Sequence, residues 1–271
     1  MPRRLSLLFG ILVLAGCSPQ PAGTQADRER AADRAQPSGS ESVAAGAAAG
    51  RAEMLTAADG ERVFATYYAA DDPKAIILLF HQAGASRAEY DTIAPRLVRA
   101  GYSALAIDQR SGGAMFGANR TVRARGGSVD AYLQTMPDLE AAFAWAQARK
   151  LPVVLWGSSY SASLIFVLAA RHPGETAAIL SFSPGEYLDD GHAIRDAAAK
   201  VTAPSFITAA SDPEEIAKAR AIFESLPGDD DIFYEPEHGV HGSSTLIAAR
   251  DPQGAAANWE PVIRFLKTTL G

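Results

Sequence analysis

Short apolar runs alternating with stretches of helical spacing set the strongest limit on how this chain can fold. The runs are Ala75–Phe80 (AIILLF), Tyr102–Ile107, Pro152–Trp156 (PVVLW), Ala177–Phe182, Ser205–Ala210 and Ile232–Glu235, with an earlier strand at Val63–Tyr68. A continuous apolar run of this length is a strand covered on both faces; a strand with one wet face would alternate. Between the runs, Tyr90–Arg99 has helical spacing at Ile93, Leu97 and Val98, and Ala131–Arg149 and Tyr160–Arg171 read as helices, the second stopped by His172-Pro173-Gly174. Further helices are expected at Pro213–Ser225 and from Ser244 and Asn258. This order predicts an α/β fold with a mostly parallel central sheet and helices on both faces, without internal repeats. In such sheets chemistry collects beyond the carboxyl ends of the strands.

Composition narrows the function classes. The 271 residues carry a net charge of −6, which argues against a nucleic-acid partner. A single cysteine, Cys17, excludes a disulfide framework and cysteine-based zinc or iron–sulfur sites. The hydrophobic fraction of 48% hides a division: residues 18–52 hold eleven Ala, one Val and no Leu, Ile, Met or aromatic residue. Such a segment has little apolar surface to offset the entropy of ordering it. It reads as a flexible tether over 17–53, and the folded domain as 54–271, with 19 basic and 26 acidic residues.

Ahead of the tether, Arg3-Arg4 precede an apolar run from Leu5 to Ala15 that ends in Leu14-Ala15-Gly16-Cys17. Eleven residues make a signal-peptide core and are too few to span a bilayer comfortably. The order of basic region, apolar core and small-residue box resembles the bacterial lipoprotein signal. The resemblance implies removal of residues 1–16, lipidation of Cys17 and a membrane anchor of several acyl chains. With Ser18 after the cysteine, it implies the periplasmic side of the outer membrane. An ordinary secretory signal is the other reading.

The strongest chemical signal is Trp156-Gly157-Ser158-Ser159-Tyr160-Ser161-Ala162, set between a buried strand and an apolar helix. A nucleophile on a sharp strand-to-helix turn needs small residues two before and two after it. Gly157 and Ser161 supply them for Ser159, whereas Ser158 would have Trp156 in that place. The helix start also favours negative charge on a developing oxyanion. A serine-rich helix cap is the competing reading. The placement resembles the nucleophile elbow of the α/β-hydrolase superfamily, with Ser161 in place of the usual second glycine.

That resemblance implies a Ser-acid-His order of serine, acid and base. His241 and His238 both follow the last strand, and His241-Gly242 fits the family's histidine before the last helices, with His238 the alternative. Asp212, after Ser205–Ala210, fits the acid; in Asp212-Pro213-Glu214-Glu215 it reads equally as a helix N-cap, with Asp189 and Asp190 as fallbacks. His241 would take the Ser159 proton, and Asp212 would hold the imidazole.

Phe80-His81-Gln82-Ala83-Gly84-Ala85-Ser86 resembles the family's oxyanion loop, in a variant similar to the dienelactone-hydrolase-like branch. It implies the amides of Ala83 and Tyr160 as oxyanion donors, Gln82 as a further donor or a shaper of the pocket, and a structural His81. Asp108 and Arg110 match residues that brace loops in this family. From Gln109 to Val129 there are four arginines (110, 120, 123, 125) and no acid. Two readings stand: Arg123 and Arg125 grip an anionic substrate group, or the loop is solvated.

The expectation is a serine hydrolase that cleaves a carboxylic ester or related small-molecule acyl substrate, without cofactor or metal, anchored to the membrane by lipid. An acyltransferase or peptidase on the same residues, or a non-catalytic ligand-binding envelope lipoprotein, are the alternatives.

Overall fold

The structure, a computed structural model, describes residues 50–188 and 190–271. The signal segment, Cys17, the tether up to residue 49, and Asp189 lie outside the described residues.

The apolar runs become the middle of an eight-stranded sheet in the order β1-β2-β4-β3-β5-β6-β7-β8. The strands are β1 (Arg51–Thr56), β2 (Arg62–Tyr68), β3 (Ile76–Phe80), β4 (Ser103–Ile107), β5 (Val153–Ser158), β6 (Ala178–Phe182), β7 (Ser205–Thr208) and β8 (Ile232–Tyr234). β1 and β2 pair antiparallel, β2 pairs antiparallel with β4, and all other pairings are parallel. Among the described residues seven helices follow the same chain order: α1 (Ile93–Arg99), α2 (Arg120–Arg125), α3 (Met136–Gln147), α4 (Tyr160–Arg171), α5 (Ala193–Ala198), α6 (Pro213–Phe223) and α7 (Ala255–Leu270).

Successive residues of a strand face opposite sides, so each continuous apolar run feeds two cores. Ile76, Leu78 and Phe80 enter one core with Leu139 and Phe143 of α3 and Leu164 and Leu168 of α4. Ile77 and Leu79 enter the other with Ile93 and Leu97 of α1 and Trp259, Val262 and Phe265 of α7. All five residues of β3 and of β4 are fully covered. At about 1.5–3 kcal/mol for each large apolar side chain, this two-sided burial is what makes the runs strands.

Register aligns the chemical edge. Phe80 pairs with Gly157, Ser158 with Phe182, Phe182 with Thr208 and Thr208 with Tyr234. The loops leaving β3, β5, β6, β7 and β8 therefore start side by side.

Four local expectations change. A strand begins at Arg51, so the domain starts before residue 54; β1 buries only Leu55 fully and shows no apolar run because it is an edge strand. The helix expected over Ala131–Arg149 opens as a tight turn at Tyr132–Thr135 and becomes α-helical from Met136, with Pro137 in its first turn. The helix expected from Ser244 is a single tight turn, Gly242–Leu246. The arginine-rich stretch contains the helix α2, capped by Asn119, whose side chain accepts from the Val122 amide at 2.8 Å.

Candidate active site

Ser159 sits between β5 and α4 with φ 59° and ψ −127°, a conformation in which non-glycine residues carry about 1–3 kcal/mol of strain. Its amide donates to the Phe182 carbonyl at 2.8 Å and its carbonyl accepts from Ala162 at 2.8 Å, so both sides of the turn are pinned. Gly157 is required: a Cβ there would lie 2.5 Å from the Ala162 backbone. Ser161 does more than stay small. Its hydroxyl donates to the His81 carbonyl at 2.7 Å and accepts from Gln109 Nε2 at 2.8 Å, tying the helix start to the loop after β3.

Ser159 Oγ lies 2.8 Å from His241 Nε2, and His241 Nδ1 lies 2.8 Å from Glu215 Oε1. Ser159 is 7% exposed. The structure thus joins Ser159 with His241 and leaves His238, an exposed loop residue, outside the relay.

The acid differs from the expected one. Asp212 is the N-cap of α6, its Oδ1 accepting from the amides of Glu214 and Glu215 at 3.0 and 3.1 Å. Glu215 stands three residues further on and reaches His241. The motif Asp-x-x-Glu is a capping box, in which the second acid normally turns back to the N-cap amide. Here it is drawn off by the imidazole, and Asp212 alone satisfies the helix start. Burial acts to raise the Glu215 carboxyl. The hydrogen bond and charge of His241, with the Ser183 hydroxyl and the Ala210 amide, outweigh it and hold the group below the ordinary glutamate range. Its first-turn position places it at the positive end of the helix dipole as well. Asp190 caps the turn before α5, accepting from Ala193 at 2.9 Å, and takes no part in the relay.

The loop after β3 lies beside this turn because Phe80 and Gly157 are in register. Tyr160 opens α4, so its amide is among the first-turn N–H groups without an intrahelical acceptor. Ala83 follows Gln82 in a turn closed by the Ala85 amide on the Gln82 carbonyl at 3.2 Å. The Gln82 side chain is turned away from the serine: its Nε2 donates to Glu89 Oε1 at 3.3 Å and Ser244 Oγ at 3.5 Å. It shapes the loop and is not aimed as an oxyanion donor. His81 is structural. It is fully buried, its Nε2 accepting from the Gln109 amide at 2.9 Å and its Nδ1 facing the Gln82 carbonyl at 2.8 Å. Burial pushes it down to about 4, so it stays neutral.

Three of the four arginines are engaged away from the serine. Arg110, almost fully buried, bonds Asp138 through Nη2 and Nε at 2.7 and 3.0 Å and also pairs with Asp59. Arg120 stacks over Phe64 at 4.3 Å and Arg125 faces Glu61 at 3.6 Å. Arg123 and Arg125 lie on α2, which is fastened to β2 by the Phe64 amide on Thr121 Oγ1 at 3.0 Å. Three strand positions separate β2 from β5, about 14 Å at the usual spacing. Of the two readings for this pair, this placement on β2, three strands from the one that leads to Ser159, favours the structural one.

A cavity of about 1040 Å³ runs along β8 and α7 and includes none of the relay residues. A second, of about 520 Å³, lies between Gly185–Tyr187 and the face of α6 that carries Glu214 and Lys218, the helix that also holds Glu215. Among the described residues no group of His, Cys, Asp and Glu is arranged to hold a metal, and no helix is long and apolar enough to cross a membrane.

The sequence profile of the family described as serine aminopeptidase, S33 matches residues 71–232, more than half of the chain. No curated protein matches in sequence. Among solved structures, a dienelactone hydrolase from Anabaena variabilis superposes with a TM-score of 0.66 at 19% identity, over 83% of this chain and 100% of that one. A monoglyceride lipase from Saccharomyces cerevisiae gives 0.65 at 13% identity, over 84% and 98% of the two chains. An esterase from Pyrococcus furiosus gives 0.62 at 16% identity, over 82% and 92%. At these identities the superpositions speak for the fold, which is that of the α/β-hydrolases.

Proposed function

Because the chain belongs to the serine aminopeptidase S33 family and is a serine hydrolase, we propose that it cleaves a carboxylic ester or related acyl compound through Ser159, His241 and Glu215. The observation that carries this reading is the unbroken relay of two 2.8 Å hydrogen bonds from Ser159 through His241 to Glu215, built on a strained serine turn.

The steps follow from the positions of the atoms. Ser159 Oγ attacks the carbonyl carbon as its proton passes to His241 Nε2. The oxygen that gains charge is held by the amides of Ala83 and Tyr160. The bond to the leaving alkoxide breaks, and His241 returns the proton to that oxygen. Water then attacks the acyl-enzyme, giving its proton to His241, and Ser159 leaves with it as the acid is released. Glu215 stays ionised throughout, holding the tautomer with a proton on Nδ1 and stabilising the imidazolium.

Labelling by a fluorophosphonate probe tests the reading. The wild type is expected to label and Ser159→Ala to remain unlabelled; a folded wild type that does not label overturns it. We also propose that the chain is lipid-anchored at Cys17 in a bacterial envelope, supported by Arg3-Arg4, the apolar run and the small residues before the cysteine. Cys17→Ser is expected to move the protein from the membrane fraction to the soluble fraction, and unchanged fractionation overturns the anchor.

A further inference from the structure

Behind the relay lies a second carboxylate that the reaction above does not use. Glu89 is in the tight turn Arg87–Tyr90 and is 1% exposed. Its Oε2 accepts from the Gln82 amide at 2.9 Å. Its Oε1 accepts from the Ser158 hydroxyl at 2.7 Å and from Gln82 Nε2 at 3.3 Å. Ser158 in turn accepts from the Ser243 amide at 2.9 Å. Next to Ser243, the Gly242 amide donates to Ser183 Oγ at 2.9 Å, and Ser243 Oγ accepts from Trp156 Nε1 at 2.9 Å.

Each of these partners is chemically placed. Gln82 precedes Ala83, the residue proposed above as an oxyanion donor. Ser158 immediately precedes Ser159. Ser243 is two residues after His241. One carboxylate therefore ties together the amide loop, the serine turn and, through Ser158, the segment that carries the base. Every contact made to it is a donor, so the network is built for the ionised carboxylate, an acceptor only, while burial lifts the group to about 7 and leaves part of it protonated in neutral solution. Its charge is placed to interact with His241. As a mere filler of space a buried carboxylate is a poor choice, since burying it costs far more than burying an apolar side chain.

We propose that Glu89 is a positioning residue for acyl transfer, holding the Ala83 amide, Ser159 and His241 at their working separations through Gln82 and Ser158. The inference rests on the hydrolase reading above. Misplacing a reacting group by about 1 Å costs on the order of 10²-fold, and losing one oxyanion donor about 10²–10³-fold. Partial loosening of all three groups is therefore expected to cost about 10- to 100-fold in kcat.

The test uses the full chain, hydrolysis of p-nitrophenyl butyrate, a boronic acid inhibitor whose tetrahedral adduct places an oxygen against the amides, and thermal melting. Glu89→Gln keeps the shape but brings an amino group against a donor. It is expected to lower kcat about 10- to 100-fold, leave KM within about 3-fold, and weaken boronic acid binding in parallel with kcat. Ser158→Ala removes the bonds to Glu89 and to the Ser243 amide but keeps the Gln82 arm, and is expected to lower kcat by less, about 3- to 10-fold, again at unchanged KM. A residue that only stabilised the fold would shift the melting temperature and leave kcat and boronate affinity of the folded protein unchanged. A folded Glu89→Gln with wild-type kcat overturns the proposal. If that variant does not fold, Ser158→Ala with wild-type kcat overturns it in its place. An active wild type with either of these results leaves the hydrolase reading standing. An inactive, unlabelled wild type removes both.

Discussion

Two loop regions leave the same edge of the sheet and use their charged side chains in opposite ways. After β4 the stretch Gln109–Val129 has four arginines and no acid of its own, which in an acidic domain looks like a binding surface. In the fold, Arg110 closes on Asp138 and Asp59, Arg125 faces Glu61 and Arg120 covers Phe64. The loops after β5, β7 and β8 look unremarkable in charge, yet they bring Ser159, Glu215 and His241 into one hydrogen-bonded line. A high local charge count is thus compatible with a purely structural role, because opposite charges far away in sequence can neutralise it. Chemistry sits where a side chain's bonding capacity is arrayed toward another reactive group.

Substitutions can break this contrast. The largest effect is expected for Ser159→Ala, a loss of about 10⁴- to 10⁶-fold in kcat, read by ester hydrolysis on a folded variant. Next comes the pair of acids on α6. Glu215→Gln is expected to lower kcat about 10²- to 10⁴-fold, since the imidazole loses its charged partner. Asp212→Ala is expected to change kcat by less than about 3-fold while costing about 1 kcal/mol of stability, the usual worth of a helix cap. The reverse ranking would restore Asp212 as the acid.

In the arginine region the expected damage is to stability. Arg110→Met leaves Asp138 buried without its cation and is expected to cost about 3–5 kcal/mol in denaturant unfolding, with kcat per folded molecule little changed. Arg123→Ala and Arg125→Ala are expected to shift the preference between neutral and acidic esters by less than about 2-fold, as their helix is fastened to β2. A larger shift would return this loop to the substrate site.

The last comparison concerns the pH dependence of stability. Burial pushes Glu89 up from 4.5 to about 7, so its contribution is present below about 4.5 and is lost as the pH rises through about 7. Burial pushes His81 down from 6.5 to about 4, so its contribution is present above about 6.5 and is lost as the pH falls through about 4. The two oppose each other in mildly acidic solution. Comparing the wild type with Glu89→Gln isolates the first: the stability of the wild type relative to the variant is expected to fall as the pH rises from about 4.5 to about 7. Tyr90 and His241, which face Glu89, are common to both proteins. A flat difference in denaturant unfolding would contradict this.

Much of the framework was legible because it rests on local demands. The covered strands announce themselves as apolar runs, and the serine turn as a small residue on either side of Ser159. β1 was not legible, since an edge strand with one fully buried residue has no pattern to show. Glu215 and Asp212 share one helix turn and one chemistry, and their roles depend on where His241 arrives from the end of β8. Glu89 carried no signal of its own: its partners lie 7 and 69 positions away, in the loop after β3 and in the serine motif, and neither motif calls for a carboxylate.

The sequence by itself determined the layered α/β fold and the serine turn and narrowed the base to His238 or His241, because period, residue size and chain order are properties of short segments. Tertiary structure alone decided which carboxylate meets His241, where the arginines are neutralised and what Glu89 holds. Those outcomes depend on distances between segments far apart in the chain, and such distances exist only once the strands have come into register.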